Sequence, residues 1–330
     1  MFELFLEKPQ DLEMRKAASA PPPGDHEVKV RVLYGGICGS DLRVFRGAIP
    51  YAKYPCRPGH EILGTVIEAG MMSPHPVGSR VVSYPNTYCG SCEFCLKGKT
   101  NLCKEKRSFG VTCDGLFAQE ITIDSEFVVP VPPDLPDERA ILVEPFAVNV
   151  HALNRTPIHK EMSVAVIGCG TEGLLAIALL NHLGVEITAM DIVPEKMERA
   201  KGFGERIQTL HPERVKDEMF DLVVEAAGVK ASIEQAFEIV KPGGVVISLG
   251  IIGEEVRYPA LRITRGEITI CGTIIYTKRD FEEAIALLRN PGFDIGPVLS
   301  KIVPLGRYRE AFSDALSGKF VKIVLDFRDV

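Results

Sequence analysis

The sequence of 330 residues predicts an α/β protein in two parts: a β-rich, barrel-like first part and a doubly wound parallel sheet. Three observations lead there. Short alternating strands broken by turn residues fill the first third of the chain. A strand, a Gly-x-Gly-x-x-Gly turn and an apolar helix follow from Ser163. Strands and helices then alternate to the C-terminal end of the sequence.

In order, Pro21-Pro22-Pro23-Gly24-Asp25 is a loop, and the alternation of Glu27 to Tyr34 predicts a strand with one buried face. Ile62–Ala69 and Val81–Tyr84 read the same way, and two more strand-like pieces follow Cys113. Many turn residues between short strands argue for a closed or barrel-like all-β part. Apolar residues at helical spacing run from Ile141 to Leu153. Strand Ser163–Ile167 leads through the glycine turn to a helix over Leu174–Leu180, then strand Val185–Met190 and a helix over Pro194–Lys201. Strand Asp221–Glu225, helix Ala231–Val240, a turn at Lys241-Pro242-Gly243-Gly244 and strand Val245–Leu249 continue the pattern. A strand from Ile268 to Tyr276 precedes helix Arg279–Arg289, which Asn290-Pro291-Gly292 stops. Strand, helix and strand close the pattern, the last over Phe320–Phe327.

The formal charge of -6 leaves no basic footprint for a nucleic-acid partner. The N-terminal apolar run carries Glu3 and Glu7 and lacks a cleavable signal pattern, and no apolar run reaches membrane-spanning length. A cytoplasmic protein is expected, without membrane association. Nine cysteines in a reducing compartment read as metal ligands and buried thiols.

Four of them are concentrated. Cys89-Gly90-Ser91-Cys92-Glu93-Phe94-Cys95 is followed by Cys103 after a turn through Gly98, Lys99 and Thr100. Each Cys-x-x-Cys lets two thiolates converge on one ion, and four sulfurs leave no position for water or substrate. This lobe, residues 86–106, is expected to hold a structural zinc. Cys56, Cys113 and Cys271 lack partners at ligand spacing and read as core or surface thiols.

Other candidates are ambiguous by themselves. Cys38, in Cys38-Gly39-Ser40-Asp41, and His60, in Gly59-His60-Glu61, are a thiol and an imidazole suited to zinc, or a buried thiol and a turn histidine. Glu144 is surrounded by apolar residues, so it needs a metal, an arginine or a solvated helix N-terminus. His151, on the same helical face, is a core histidine or part of a site.

The glycine turn has its required context. Gly168 permits the tight turn, Gly170 a close approach of backbone to a pyrophosphate, and Gly173 close packing of helix on strand, with Thr171 and Glu172 between them. The next strand ends at Asp191, where a carboxylate can accept both ribose hydroxyls and would repel the extra phosphate of NADP. NAD is the expected cofactor of this Rossmann-type unit.

Taken in order, Cys38-Gly39-Ser40-Asp41, Gly59-His60-Glu61, the four-cysteine lobe, Glu144-Pro145 and Gly168-x-Gly170-x-x-Gly173 with Asp191 resemble the zinc-dependent medium-chain dehydrogenases, nearest their sorbitol, polyol and threonine dehydrogenase branch. The resemblance spans essentially the whole sequence. It implies a GroES-like catalytic domain over residues 1–150 and 288–330, a Rossmann domain over 151–287, and a substrate cleft between them. It implies two zincs per chain. Cys38, His60 and Glu144 match the protein ligands of the catalytic one, and Glu61 matches a carboxylate that ligates directly or exchanges with water. Ser40 matches the hydroxyl that takes the substrate proton, and Lys196 a base beside Asp191 at the adenosine ribose. Gly250, closing the strand after the Lys241 turn, belongs to the expected cofactor site.

The implied activity is hydride transfer between a secondary alcohol, a polyol or sugar acid, and NAD. Threonine or simple-alcohol oxidation is the alternative, and a non-catalytic zinc- and NAD-binding protein is the alternative from another class. Arg43 stands where many relatives have a histidine that relays the proton, so the exit runs instead through water or the cofactor ribose. Arg43, Arg46 and Lys53 are candidates for a substrate carboxylate or phosphate, or are solvated loop charges. The turn from Met71 to Pro76 and the stretch between Lys201 and Asp221 are shorter than usual, the second by a surface strand or helix. A homodimer or homotetramer is expected, with the strand near Ile268–Tyr276 available for pairing.

Overall fold

The computed structural model describes residues 1–215 and 219–328, and the chain separates into two units, Met1–Glu144 with Leu299–Val330, and Pro145–Val298. In the first unit β1 (Phe2–Leu6) and β2 (Leu12–Lys16) form an antiparallel hairpin. There follow β3 (Glu27–Ile37), α1 (Gly39–Phe45), β4 (Glu61–Ala69), β5 (Arg80–Ser83), β6 (Glu120–Asp124), β7 (Val128–Pro130) and α2 (Asp137–Ala140). Helix α3 (Val143–Leu153) starts in this unit and continues into the second. There the chain forms β8 (Ser163–Ile167), α4 (Thr171–His182), β9 (Glu186–Met190), α5 (Pro194–Lys201), β10 (Ile207–Leu210) and β11 (Phe220–Glu225). Helix α6 (Lys230–Ile239), β12 (Val240–Ser248), α7 (Ala260–Gly266), β13 (Thr269–Gly272) and α8 (Lys278–Arg289) complete that unit. The chain returns to the first unit as β14 (Leu299–Pro304), α9 (Tyr308–Leu316) and β15 (Lys322–Asp326).

Strands of the first unit pair in the order β14-β15-β3-β4-β5-β7, with β6 also on β3. All pairs are antiparallel except β14 with β15, which the α9 crossover makes parallel. Val28, Val30, Val32, Val66, Phe117 and Leu325 bury the inner face. Helix α1 is a single short segment with no apolar period of its own, and the sequence pattern gives no sign of it.

The second unit is a six-stranded parallel sheet in the order β10-β9-β8-β11-β12-β13. The order reverses between β8 and β11, so the carboxyl ends of those strands form the switch point where such sheets bind ligands. The turn at Lys241 to Gly244 is looped out of the ladder: Phe220 pairs with Val240, and Leu222 with Val245. The strand expected over Ile268–Tyr276 is shorter, because the chain leaves the ladder at Gly272 and Ile275 takes a positive φ of 56°. Between Lys201 and Asp221 the sheet keeps β10, and the link onward holds a 3-10 turn at Pro212–Arg214 among the described residues; 216–218 lie outside them. No helix among the described residues is long and apolar enough to cross a membrane.

Candidate functional site

Register brings the first cluster together. Gly36 on β3 faces Glu61 on β4, so the residues just past these strand ends, Cys38 and His60, become neighbours. Cys38 precedes α1, and Asp41 in its first turn caps the helix by accepting from the Cys38 amide at 2.9 Å. The other Asp41 oxygen accepts from the Gly59 amide at 3.2 Å and from His60 Nδ1 at 3.1 Å. A carboxylate only accepts, so Nδ1 carries the hydrogen and Nε2 is the nitrogen that could serve a metal. Burial opposes a charged His60 ring. Asp41 and the Cys38 thiol outweigh it, holding the pKa well above the ordinary histidine value. The position is built to accept positive charge.

Ligand atoms of Cys38, His60 and Glu61 lie within 4.8 Å of one another. Ser40 places its hydroxyl 3.4 Å from His60 Nε2. Glu144 is not in that close set; it sits in the first turn of α3 and is 7% exposed. Glu61 is fully buried and pairs with Lys322 from β15, whose Nζ lies 2.7 Å from both its oxygens. Lys322 and Asp41 are the residues that sequence reasoning assigned no role. The role of Asp41 depends on α1, of which the sequence pattern gives no sign, and nothing in the pattern of Phe320–Phe327 points Lys322 at Glu61. Arg43 is half-buried on α1, and Arg46 and Lys53 are exposed beyond it.

The second cluster is the lobe. Ligand atoms of Cys89, Cys92, Cys95 and Cys103 lie within 4.8 Å of one another. Backbone amides point at the sulfurs: Cys92 donates to Cys89 Sγ at 3.3 Å, Cys89 to Cys103 Sγ at 3.3 Å, and Glu105 to Cys103 Sγ at 3.4 Å. Amides of Cys95 and Lys104 draw the Cys92 thiol down to about 6, and those of Ser91 and Cys92 lower Cys89. Desolvation and the neighbouring sulfurs push Cys95 up to about 12. Thiolates so close resist further ionisation until a cation joins them, which fits this donor set to a tetrahedral zinc.

In the second unit, β8 runs into Gly168, whose φ of 97° makes the tight turn. A Cβ at Gly173 would lie 1.7 Å from the Gly168 carbonyl oxygen, so only glycine lets α4 approach the turn. Around Gly170, by contrast, the space is open, with nothing within 4 Å of a Cβ. That combination fits a dinucleotide pyrophosphate at the start of α4, where Thr171 and Glu172 stand. Asp191 follows β9; its Oδ2 accepts from the Cys169 amide at 2.8 Å and its Oδ1 from Val193 at 2.9 Å. Each oxygen keeps a lone pair for a ribose hydroxyl. Lys196 is half-buried on α5. Gly250 donates to the Glu225 carbonyl at 2.8 Å, and a Cβ there would meet the Gly228 amide at 2.3 Å. His151 pairs with Asp280 at 2.8 Å, so it is a partnered histidine of the second unit.

Residues 24–133 match the alcohol dehydrogenase GroES-like domain family, and residues 173–290 the zinc-binding dehydrogenase family. The chain is similar to a zinc-type alcohol dehydrogenase-like protein of Haemophilus influenzae, 32% identical over 94% of this chain and 94% of that one. It is also similar to a sorbitol dehydrogenase of Halalkalibacterium halodurans, 30% identical over 92% of this chain and 93% of that one. Among solved structures, galactitol-1-phosphate dehydrogenase from Escherichia coli superposes with a TM-score of 0.90 at 27% identity, covering 99% of this chain and 100% of that one. Similarity of this extent in sequence and fold places the chain in the zinc-dependent medium-chain alcohol dehydrogenases, on their polyol branch.

Proposed function

We propose that this oxidoreductase oxidises the secondary hydroxyl of a polyol or sugar acid with NAD, using one zinc at Cys38, His60 and Glu144 and a second in the cysteine lobe. The observation that carries the reading is the Ser40 hydroxyl 3.4 Å from His60 Nε2, a proton acceptor beside the ligating nitrogen. When bound, zinc supplies a Lewis acid for the substrate hydroxyl and the nicotinamide supplies the hydride acceptor. The chain's own residues do the rest. Asp41 fixes the His60 ring, Ser40 Oγ accepts the substrate proton as it passes its own hydroxyl hydrogen on to water or the cofactor ribose, and Lys322 keeps the Glu61 carboxylate neutralised beside the cluster. Asp191 accepts from the adenosine ribose, its charge opposing a 2′-phosphate and favouring NAD over NADP.

Assembly as a homodimer or homotetramer is part of the proposal: β13 is an edge strand and its Ile270 is 41% exposed. The free thiols, four of them at metal spacing, support a cytoplasmic site of action. The test is a panel of polyols, hexonates, cyclitols, threonine and simple alcohols assayed for NADH and NADPH formation, with Cys38→Ala as control. Turnover of a polyol or hexonate with NAD, abolished in the control, is expected. Oxidation of threonine alone, a preference for NADP, or full activity of the control would each overturn the corresponding part.

A further inference from the structure

Between the second and third glycines of the turn stand Thr171 and Glu172, and the latter places a carboxylate in the first turn of α4. A helix N-terminus favours negative charge, but here a pyrophosphate would bring its own. Glu172 is tied towards α3 by a hydrogen bond of 2.7 Å from Asn149 Nδ2 to its Oε2. The same Asn149 nitrogen donates to the Pro145 carbonyl at 3.3 Å, one helical turn back. Both amide hydrogens are thus committed. The amide oxygen is not: Asn149 is fully buried and its Oδ1 has no partner among the described residues. An acceptor left unmade inside a protein is destabilising, and a leucine of similar size would avoid that cost. A fold that keeps asparagine here gains the bond to Glu172 in exchange.

We propose that Asn149 is a positioning residue of the dinucleotide site, holding the Glu172 carboxylate off the phosphate-accepting amides at the start of α4. The inference rests on the glycine turn taking a dinucleotide. With Asn149 absent, the carboxylate loses the bond that draws it towards α3 and competes more strongly as an anion for those amides, and cofactor binding weakens although no cofactor contact has been removed.

The experiment is direct titration of the full chain with NADH, followed by nicotinamide fluorescence, in wild type, Asn149→Leu, Glu172→Gln and the double variant. Melting without cofactor is measured alongside. Asn149→Leu should raise the NADH Kd about tenfold, the size of a hydrogen bond to a charged group, while the melting midpoint holds or rises. Glu172→Gln should lower the Kd about threefold, as loss of one screened like-charge contact would. In the double variant the effect of Asn149→Leu should vanish. An unchanged Kd in Asn149→Leu, or an equal loss with glutamine at 172, would overturn the proposal. If Asn149→Leu does not fold, Glu172→Gln decides, and binding equal to or weaker than wild type overturns it. A wild-type chain that binds neither NADH nor NADPH would overturn the dinucleotide reading as well.

Discussion

Lys322 and Glu61 meet in the interior of the first unit, with Nζ 2.7 Å from each carboxylate oxygen and neither side chain more than 1% exposed. They come from strands that do not touch, since β3 lies between β15 and β4. The gap is Gly36 on β3, where a Cβ would stand 2.1 Å from Glu61 Oε2. Removing the lysine strands a buried charge, whereas removing both charges does not. Lys322→Met should therefore destabilise by about 3–5 kcal/mol, and Lys322→Met with Glu61→Gln should recover most of it. Urea unfolding of the three proteins measures this, and coincident midpoints for wild type and Lys322→Met would contradict it.

Asp41 acts on the proposed metal site through His60 and the Cys38 backbone. Asp41→Asn removes the charge that orients and polarises the ring, so zinc affinity at the Cys38 cluster should fall about 10–100-fold with the cysteine lobe unaffected. Competition against a chromophoric chelator resolves the two sites, and parallel weakening of both would point to general unfolding.

For the lobe, Cys92→Ser removes the thiol that its amides most favour as thiolate. Zinc content should drop from two towards one per chain, with new protease cleavage inside residues 86–106. Metal analysis that still finds both ions would refute a four-cysteine site.

Asp280 gives a pH prediction for the second unit. Burial alone would raise its pKa; hydrogen bonds from His151 and Thr277 outweigh burial and bring it down to about 2 from the usual 3.8. The folded value lies below the unfolded one. The stabilisation is therefore complete above the unfolded pKa and is lost as pH falls between about 4 and 2, worth roughly 1–2 kcal/mol after solvent screening. Asp280→Asn should flatten that part of the stability profile. Urea midpoints across the acid range provide the comparison.

What could be read from the sequence was whatever depends on short spacing. The Cys-x-x-Cys pairs, the glycine turn and Asp191 after a strand are local patterns with one physical use, and they carried the family and the parallel sheet. Lys322 was hidden because its meaning depends on the strand order β15-β3-β4, which no local period encodes. Asn149 was hidden because its partner lies on another helix, 23 residues away. The strand expected from Ile268 is longer than β13 because apolar content continues past Gly272, where the backbone has already turned out of the ladder.

The ion pair beneath the Cys38 cluster has a consequence in time. Translation delivers Glu61 early and Lys322 late, with the whole second unit made in between. At ribosomal rates of about 5–20 residues per second, roughly 10–50 s separate the two. During that interval the emerging carboxylate lacks the lysine it is buried with, so closing β4 over it carries the cost of an unpaired charge or of its protonation. The final strand acts as a clasp, and the nascent chain reaches its closed charge state only after the segment that carries Lys322 has left the ribosome.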